Sequence, residues 1–434
     1  MKQTAERIFR ETLAAIDIPA ALEKALARNG TRIRAGKEAG AMIDLRDYRE
    51  IIAIALGKAA FAMAQGLSQI LSPDFAPDGI LVVPAAPARD LPGWKTFIGG
   101  HPIPDEKSFA AGRATLERLS RCGEETLIFF LISGGGSALV EQPLDPALTL
   151  ADFQKLNSAL VTCGASIEQI NVIRKHLSAT KGGRLAAAAP RSMKVTFAIS
   201  DVPPGEESAL ASGPTLPDPS TVQDAQEIAR KYNLLSQFPA TVRGAFERGL
   251  AETPKAGDSA FLRSRFELLL SSHELLHAAH RACEAEGYVC LCDNLTDGWP
   301  IEKAADHLLK LLESQKMANR GPVAVLADGE VSSPVTGNGI GGRNSAFVLA
   351  CVRKIADRGI TVLSAGTDGI DGNSPAAGTI ADGETLARAR AQDIDPDEFM
   401  RRSDAYSFFE RLGDAVITGP TGNNLRDLRI LLMA

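Results

Sequence analysis

The chain has 434 residues, of which 45% are hydrophobic and 23% charged, and its formal net charge is −6. That length predicts two or three domains around a substantial core, and the acidic balance argues against nucleic-acid binding, which needs a basic footprint. No segment approaches the roughly 18 apolar residues that span a bilayer. The amphipathic N-terminus carries Glu6 and Glu11 and lacks an apolar h-region, so a secretory signal and a membrane role are not expected and a cytoplasmic location is. The cysteines, at 122, 163, 283, 290, 292 and 351, show no metal-ligand spacing and read as reduced thiols. Cys290 and Cys292 sit two apart in a strand-like run, which sends both to one face.

In chain order, Ile51–Leu56 is the first buried-strand run. Ala59, Ala62, Met63, Gly66, Leu67 and Ile70 then follow a helical i, i+3, i+4, i+7 pattern. Further short apolar runs lie at 80–83, 126–132 and 195–199. A second series follows at 266–270, 288–291, 323–326, 361–363 and 415–417, with helical stretches such as 274–285 and 344–355 between. Alternating β and α units predict an α/β fold with mostly parallel sheets covered by helices. The weakly patterned stretch from Pro214 to Asp258 separates the two series. Its most linker-like part, Pro254-Lys-Ala-Gly257-Asp258, sets the expected boundary near 255, giving domains 1–255 and 256–434.

In open α/β sheets, ligands bind beyond the carboxyl ends of the strands, and here those positions are polar and glycine-rich. Ser133-Gly134-Gly135-Gly136-Ser137 offers backbone N–H groups to a phosphate or carboxylate, and has neither a Walker lysine motif nor a kinase glycine loop. Lys58 stands at a helix start, where a cation is disfavoured unless it serves an anion; a solvated lysine is the plain alternative. Asp201 opens the stiff Ser200-Asp201-Val-Pro-Pro-Gly205 loop and could accept a hydroxyl proton or bind Mg²⁺, or simply cap a turn. Gly337, Gly339 and Gly342 satisfy G-x-G-x-x-G, but no strand directly precedes them. The next acid, Asp368, lies 26 residues on, where a dinucleotide fingerprint expects about 20. Gly341, Gly342, Arg343 and Asn344 therefore read as an anion site with a bidentate arginine. Thr367, Asp368 and Asp371 form another loop suited to Mg²⁺ or ligand hydroxyls, or to two tight Asp-Gly turns. His273, His277 and His280 share one helical face and read as structural. Phosphoryl transfer is mostly positioning and charge neutralisation, and needs this inventory. A serine hydrolase lacks its G-x-S-x-G elbow and a histidine partner on a strand-end loop.

The motifs LGKAA (56–60), HPxPD (101–105), ISGGGSAL (132–139), SDVPPG (200–205), ASGPTLPDP (211–219), GGRN (341–344), GTDGIDG (366–372) and TGPTGNN (418–424) resemble, in order and over nearly the whole chain, the class II or MOFRL-type glycerate 2-kinases. The resemblance implies a Rossmann-like N-terminal domain, a smaller α/β C-terminal domain and an active site in the cleft between them. It implies ATP and Mg²⁺ as cofactors, with Asp201 and Asp368 as candidate metal ligands, and D-glycerate as substrate, phosphorylated at the 2-hydroxyl. Lys58, Asp201 and Arg343 match the family's active-site positions. Ser271-Ser272-His273 departs from it, standing where a Gly-Asn pair is expected. Some relatives of this family carry the name hydroxypyruvate reductase, so an NAD(P)H-dependent reductase is the runner-up, and a non-catalytic sugar-acid or nucleotide sensor is the third reading. A homodimer is the assembly considered.

Overall fold

The computed structural model describes residues 1–36 and 41–434. The chain forms two compact units: one is Ile18–Leu269, the other joins Met1–Asp17 to Leu270–Ala434.

The first unit contains β1 (Leu26–Asn29), β2 (Arg32–Ala35) and β3 (Ala41–Asp44), which form a small antiparallel sheet. Its main sheet comprises β4 (Glu50–Leu56), β5 (Asp78–Val83), β6 (Trp94–Ile98), β7 (Thr126–Ser133), β8 (Met193–Ile199) and β9 (Ser264–Leu270) in the order β6-β5-β4-β7-β8-β9. The first five run parallel. Counted from β4 they follow the 3-2-1-4-5 order of a doubly wound fold, with a reversal between β4 and β7. Every residue of β7 is buried, which explains why it reads as a continuous apolar run and does not alternate. The stretch expected to be weakly patterned holds two helices, Val222–Lys231 and Ala240–Arg248. With Leu150–Thr162 and Ile167–Leu177 they enclose a separate cluster containing Phe153, Phe238 and Phe246.

The second unit carries β10 (Val289–Asp293), β11 (Val323–Ala327), β12 (Ile360–Gly366), β13 (Gly378–Asp382), β14 (Ala415–Val416) and β15 (Asp427–Met433), ordered β10-β11-β15-β12-β13-β14. The expectation of parallel pairing fails here: β10 and β11 are parallel, and the other pairs are antiparallel. Two of these pairs arise from β15, which inserts between β11 and β12 against the direction of both, and the other two from the run β12-β13-β14, whose successive strands alternate in direction. β15 takes its place although its run Leu428-Arg429-Ile430-Leu431-Leu432 contains a fully buried arginine. Arg429 Nη2 donates to the backbone carbonyls of Asp328 and Gly329, the latter at 2.9 Å, so its charge is met inside the sheet. The N-terminal helix Lys2–Ala15 belongs to this unit. It buries Ala5, Ile8, Phe9 and Thr12 as one stripe and packs on β12, β15 and the helix Ser272–Ala285. Lys2 adds an ion pair to Asp414 at 2.8 Å. Among the described residues no helix is long and apolar enough to cross a membrane.

Candidate active site

In the first unit the strand ends lie level. Leu56 pairs with Ile132, and Ser133 with Ile199. Gly57-Lys58, Ser133–Ser137 and Ser200-Asp201 therefore leave the sheet side by side at its topological switch point, where such sheets bind ligands. With strands about 4.8 Å apart, Lys58 and Asp201 flank the β7 loop from either side, each half-buried. The loops are tied together. Lys58 N–H donates to the Gly134 carbonyl at 2.9 Å, and Ala59 N–H to Ser133 Oγ at 3.0 Å. Ser133 is fully buried, and its hydroxyl ties the two loops together. Ser137 Oγ lies 2.8 Å from Ser212 Oγ. The helix expected after the glycines is a single turn, Gly136–Leu139. A helix dipole thus contributes little, and any anion cradle here is loop backbone.

Gly135 adopts φ +83°, and a Cβ on it would lie 3.3 Å from the His101 ring and 3.4 Å from Lys58 Cγ. The imidazole and the lysine stem thus converge on this glycine. A Cβ on Gly136 would overlap Leu56. Two of the three glycines are therefore demanded by conformation or close approach. Gly135→Ala is expected to cost about 1–2 kcal/mol of stability from its left-handed backbone and to lower kcat/KM by more than that destabilisation explains. Denaturant melts and steady-state kinetics on the same sample check this.

In the second unit the helix Arg343–Val352 begins at Gly342, and its N-terminus already holds an anion. The Asp371 carboxylate accepts from the N–H groups of Gly342 (3.1 Å), Asn344 (3.0 Å) and Ser345 (2.8 Å) and from Ser345 Oγ (2.5 Å). Asp371 is 1% exposed. Burial pushes its pKa up, against the pull of these donors. Of the cradle expected from Gly341, Gly342 and Asn344, the N–H groups of Gly342 and Asn344 are thus taken by Asp371, which caps the helix, and that of Gly341 by Asn373 Oδ1 at 2.8 Å. Asn344 is turned to Ser364, whose hydroxyl donates to its Oδ1 at 2.6 Å. Thr367 is buried too. Its hydroxyl donates to the Arg426 carbonyl (2.7 Å) and accepts from Leu425 N–H (2.8 Å), stapling two loops. Asp368 is half-buried and accepts from Ile370 N–H at 3.1 Å, an Asx turn.

The expected fork of Arg343 is engaged inward. Nε and Nη2 grip Asp427 at 2.5 and 3.3 Å, and Nη1 meets Glu330 at 2.7 Å. Burial opposes the charge, but the two carboxylates outweigh it and hold the guanidinium above its usual range. These contacts use three of its five N–H donors. The G-x-G-x-x-G string also has a packing origin. A side chain at Gly337 would strike Arg402, one at Gly339 would strike Asp404, and one at Gly342 would strike Asp371 and Gly372.

Residues 323–427 match the MOFRL family, and residues 4–247 match a family described as a domain of unknown function (DUF4147). A D-glycerate 2-kinase from Thermotoga maritima is 34% identical over 88% of this chain and 90% of its own length. The chain belongs to the MOFRL-type glycerate 2-kinase family. The crystal structure of glycerate kinase from Thermotoga maritima superposes on it with a TM-score of 0.82 at 31% identity, covering 100% of this chain and 99% of that one. A relative from Agrobacterium vitis, 36% identical over 88% of this chain and 99% of its own length, carries the name hydroxypyruvate reductase.

For a member of this glycerate 2-kinase family, the residues that sequence reasoning missed lie beneath the β7 loop. Lys181, 2% exposed, donates to the Ser137 carbonyl at 2.5 Å and pairs with buried Glu141 at 2.9 Å. Glu141 in turn accepts from Ser178 Oγ at 2.5 Å. Burial lowers the Lys181 pKa, and Glu141 opposes it. The lysine thus fixes the height of the Gly136-Ser137 backbone. The signal was present as Lys181-Gly-Gly183, between the apolar runs at 126–132 and 195–199. The departure at Ser271-Ser272-His273 also has a structural role. Ser271 and Glu274 form a capping box for the helix Ser272–Ala285, with Ser271 N–H and Oγ each 2.8 Å from the Glu274 carboxylate.

Proposed function

We propose that this chain transfers the γ-phosphoryl group of ATP to the 2-hydroxyl of D-glycerate in the cytoplasm. The observation that carries the reading is the level set of Lys58, the Gly134–Ser137 loop and Asp201 at the switch point of the first unit's sheet. In this reading Lys58 neutralises charge on the phosphoryl group in transit, the β7 loop backbone cradles it, and Asp201 orients the attacking hydroxyl or takes its proton. Relatives named glycerate 2-kinase, aligned along most of their length, support the choice of substrate. Arg343 and Asp368 are assigned to substrate and nucleotide binding on the family pattern.

Mg²⁺ fits as a partner of the nucleotide. Among the described residues no three His, Cys, Asp or Glu side chains form a group that could hold a metal ion, and Mg²⁺ commonly takes one or two carboxylates plus substrate phosphates. Asp201 or Asp368 would supply such a carboxylate, and the ion would neutralise phosphate charge.

The reductase reading has the Agrobacterium vitis name in its favour. Against it, β4, the first strand of the doubly wound set, is followed by Gly57-Lys58-Ala59 and not by a three-glycine turn. The protein is expected to release ADP in proportion to added D-glycerate and to form phosphoenolpyruvate when enolase is present, since enolase uses only 2-phosphoglycerate. NADH and NADPH should not be consumed with hydroxypyruvate. Nicotinamide oxidation without glycerate-dependent ADP release would overturn the assignment.

A further inference from the structure

In the first unit, the loop that leaves β8 at Ser200-Asp201 turns back over residues Glu207–Ser212. Ala211, Ser212 and Gly213 have φ of +48°, +62° and +60° in succession. Residues with a Cβ avoid this region, and two of the three carry one. The surroundings hold the strain in place. Gly213 N–H donates to the Leu210 carbonyl at 2.7 Å. The Ser212 carbonyl accepts from Gly182 N–H at 2.9 Å, and the Gly213 carbonyl from Gly183 N–H at 2.7 Å. This backbone places one side chain. Ser212, 1% exposed, has its Oγ 2.8 Å from Ser137 Oγ and donates to Asn171 Oδ1 at 3.4 Å. Its single proton is committed to Asn171, so Ser137 is the donor in the shorter bond. Ser137 is thus gripped twice: Lys181 Nζ holds its carbonyl at 2.5 Å, and Ser212 holds its hydroxyl. The two grips are locked to each other, because Gly182-Gly183 directly follow Lys181 and bond the strained turn. A Cβ on Gly136 would come within 3.1 Å of Ala211 Cβ, so the turn also abuts the β7 loop one residue before Ser137.

We propose that Ser212 is a positioning residue for the phosphoryl transfer described above: it fixes the Ser137 hydroxyl and so holds the β7 loop against the loop that Asp201 opens. The inference rests on that reading of the site. It assigns Ser137 a chemistry as well. Ser137 is half-buried, and with its proton spent on Ser212 its oxygen can only accept from a bound molecule. That suits a hydroxyl of the acceptor substrate and not a phosphate oxygen, which has no proton to give. The β7 loop then divides its work between the backbone N–H groups, which serve the phosphoryl group, and Ser137 Oγ, which serves the hydroxy acid. Left-handed Ala211 and Ser212 cost folding stability, and the placement of Ser137 is what that strain secures.

The test is steady-state kinetics of Ser212→Ala, Ser212→Gly, Ser137→Ala and the double variant Ser137→Ala/Ser212→Ala, with melting curves on the same samples. Both Ser212 variants lose the hydroxyl, but glycine relaxes the left-handed backbone and should melt above alanine. Both are nonetheless expected to lose kcat/KM for D-glycerate by the same factor, about tenfold, the effect of one misplaced hydrogen bond. The loss includes a raised KM for D-glycerate, while KM for ATP stays close to wild type. The double variant should be no worse than Ser137→Ala, because Ser212 acts through that residue. A merely structural role would instead make activity follow the melting order, with the loss in kcat alone. The inference is overturned if Ser212→Gly keeps wild-type kcat/KM for D-glycerate, if Ser137→Ala does, or if the two alanine losses add. If the alanine variant at 212 fails to fold, the glycine variant decides. Wild-type protein without glycerate-dependent ADP release would sink the kinase reading and this inference with it. An active wild type with unimpaired variants would sink this inference alone.

Discussion

Lys58→Ala and Asp201→Asn are each expected to lower kcat with D-glycerate and Mg-ATP by about 10²-fold or more, the usual loss of one electrostatic or general-base contribution. The double variant should be little worse than the poorer single one. The two residues leave strands that end level with β7 between them, so in the proposed reaction they act on one transfer from opposite sides of the same loop. Groups that serve one event lose their effect together, and their free energies do not add. Neither residue carries core packing: both are half-buried and sit on loops, whereas the strands beneath them are built from Leu56, Ile132 and Ile199. Melting curves of the variants should therefore lie close to that of the wild type. A folded Lys58→Ala or Asp201→Asn enzyme with near-native kcat would remove that residue from the mechanism, and additive losses would show that the two act on separate steps.

The strand-end loops of the first unit were legible because each follows a mostly apolar run, and a run buried on both faces ends where the polar residues begin. Lys58 and Asp201 are conspicuous in sequence for that reason. The second unit was less transparent. Its helix start at Gly342 has the composition of an anion site, and it is one, but the anion is Asp371, delivered by a loop 29 residues later. Of the two Asp-Gly pairs in Gly366–Gly372, one aspartate is a buried cap and the other a half-buried Asx turn. No local feature distinguishes them, because the difference lies in which backbone N–H groups the tertiary fold brings to each. β15 was missed because a charged residue interrupts its apolar run, and Arg429 is met there by carbonyls about a hundred residues away and by the charges of Asp427 and Asp328. Lys181 escaped notice for a related reason: a lysine before two glycines at a helix end reads as a solvated C-terminal residue until Glu141 is placed beside it.

The exchange of partners at Arg343 sets the second large effect. Asp427 is 2% exposed, and two nitrogens of the Arg343 fork meet its two oxygens. Asp427→Asn removes the charge that balances the guanidinium and leaves Glu330 as its carboxylate partner in this cluster. Breaking a fully buried pair by removing one partner costs about 3–5 kcal/mol; because the Arg343 side chain is 36% exposed, a loss at the lower end, about 3 kcal/mol, is expected in denaturant unfolding of this variant. Arg343→Lys keeps the charge but cannot engage both Asp427 oxygens and Glu330 together, because an ammonium is a point and a guanidinium a planar fork. Its expected stability loss is smaller, about 1.5–3 kcal/mol, the range for hydrogen bonds to charged groups. If the remaining N–H edge of Arg343 also binds substrate, as the family pattern suggests, Arg343→Lys should lower kcat/KM by roughly 10²-fold when assayed well below its unfolding transition, or about 3 kcal/mol of transition-state stabilisation. Asp427→Asn should then be the less stable of the two yet the more active, since it keeps the guanidinium in place. The reverse order, with Asp427→Asn the less active and Arg343→Lys near wild type in kcat/KM, would reduce Arg343 to a counter-ion for Asp427 with no hand in binding substrate.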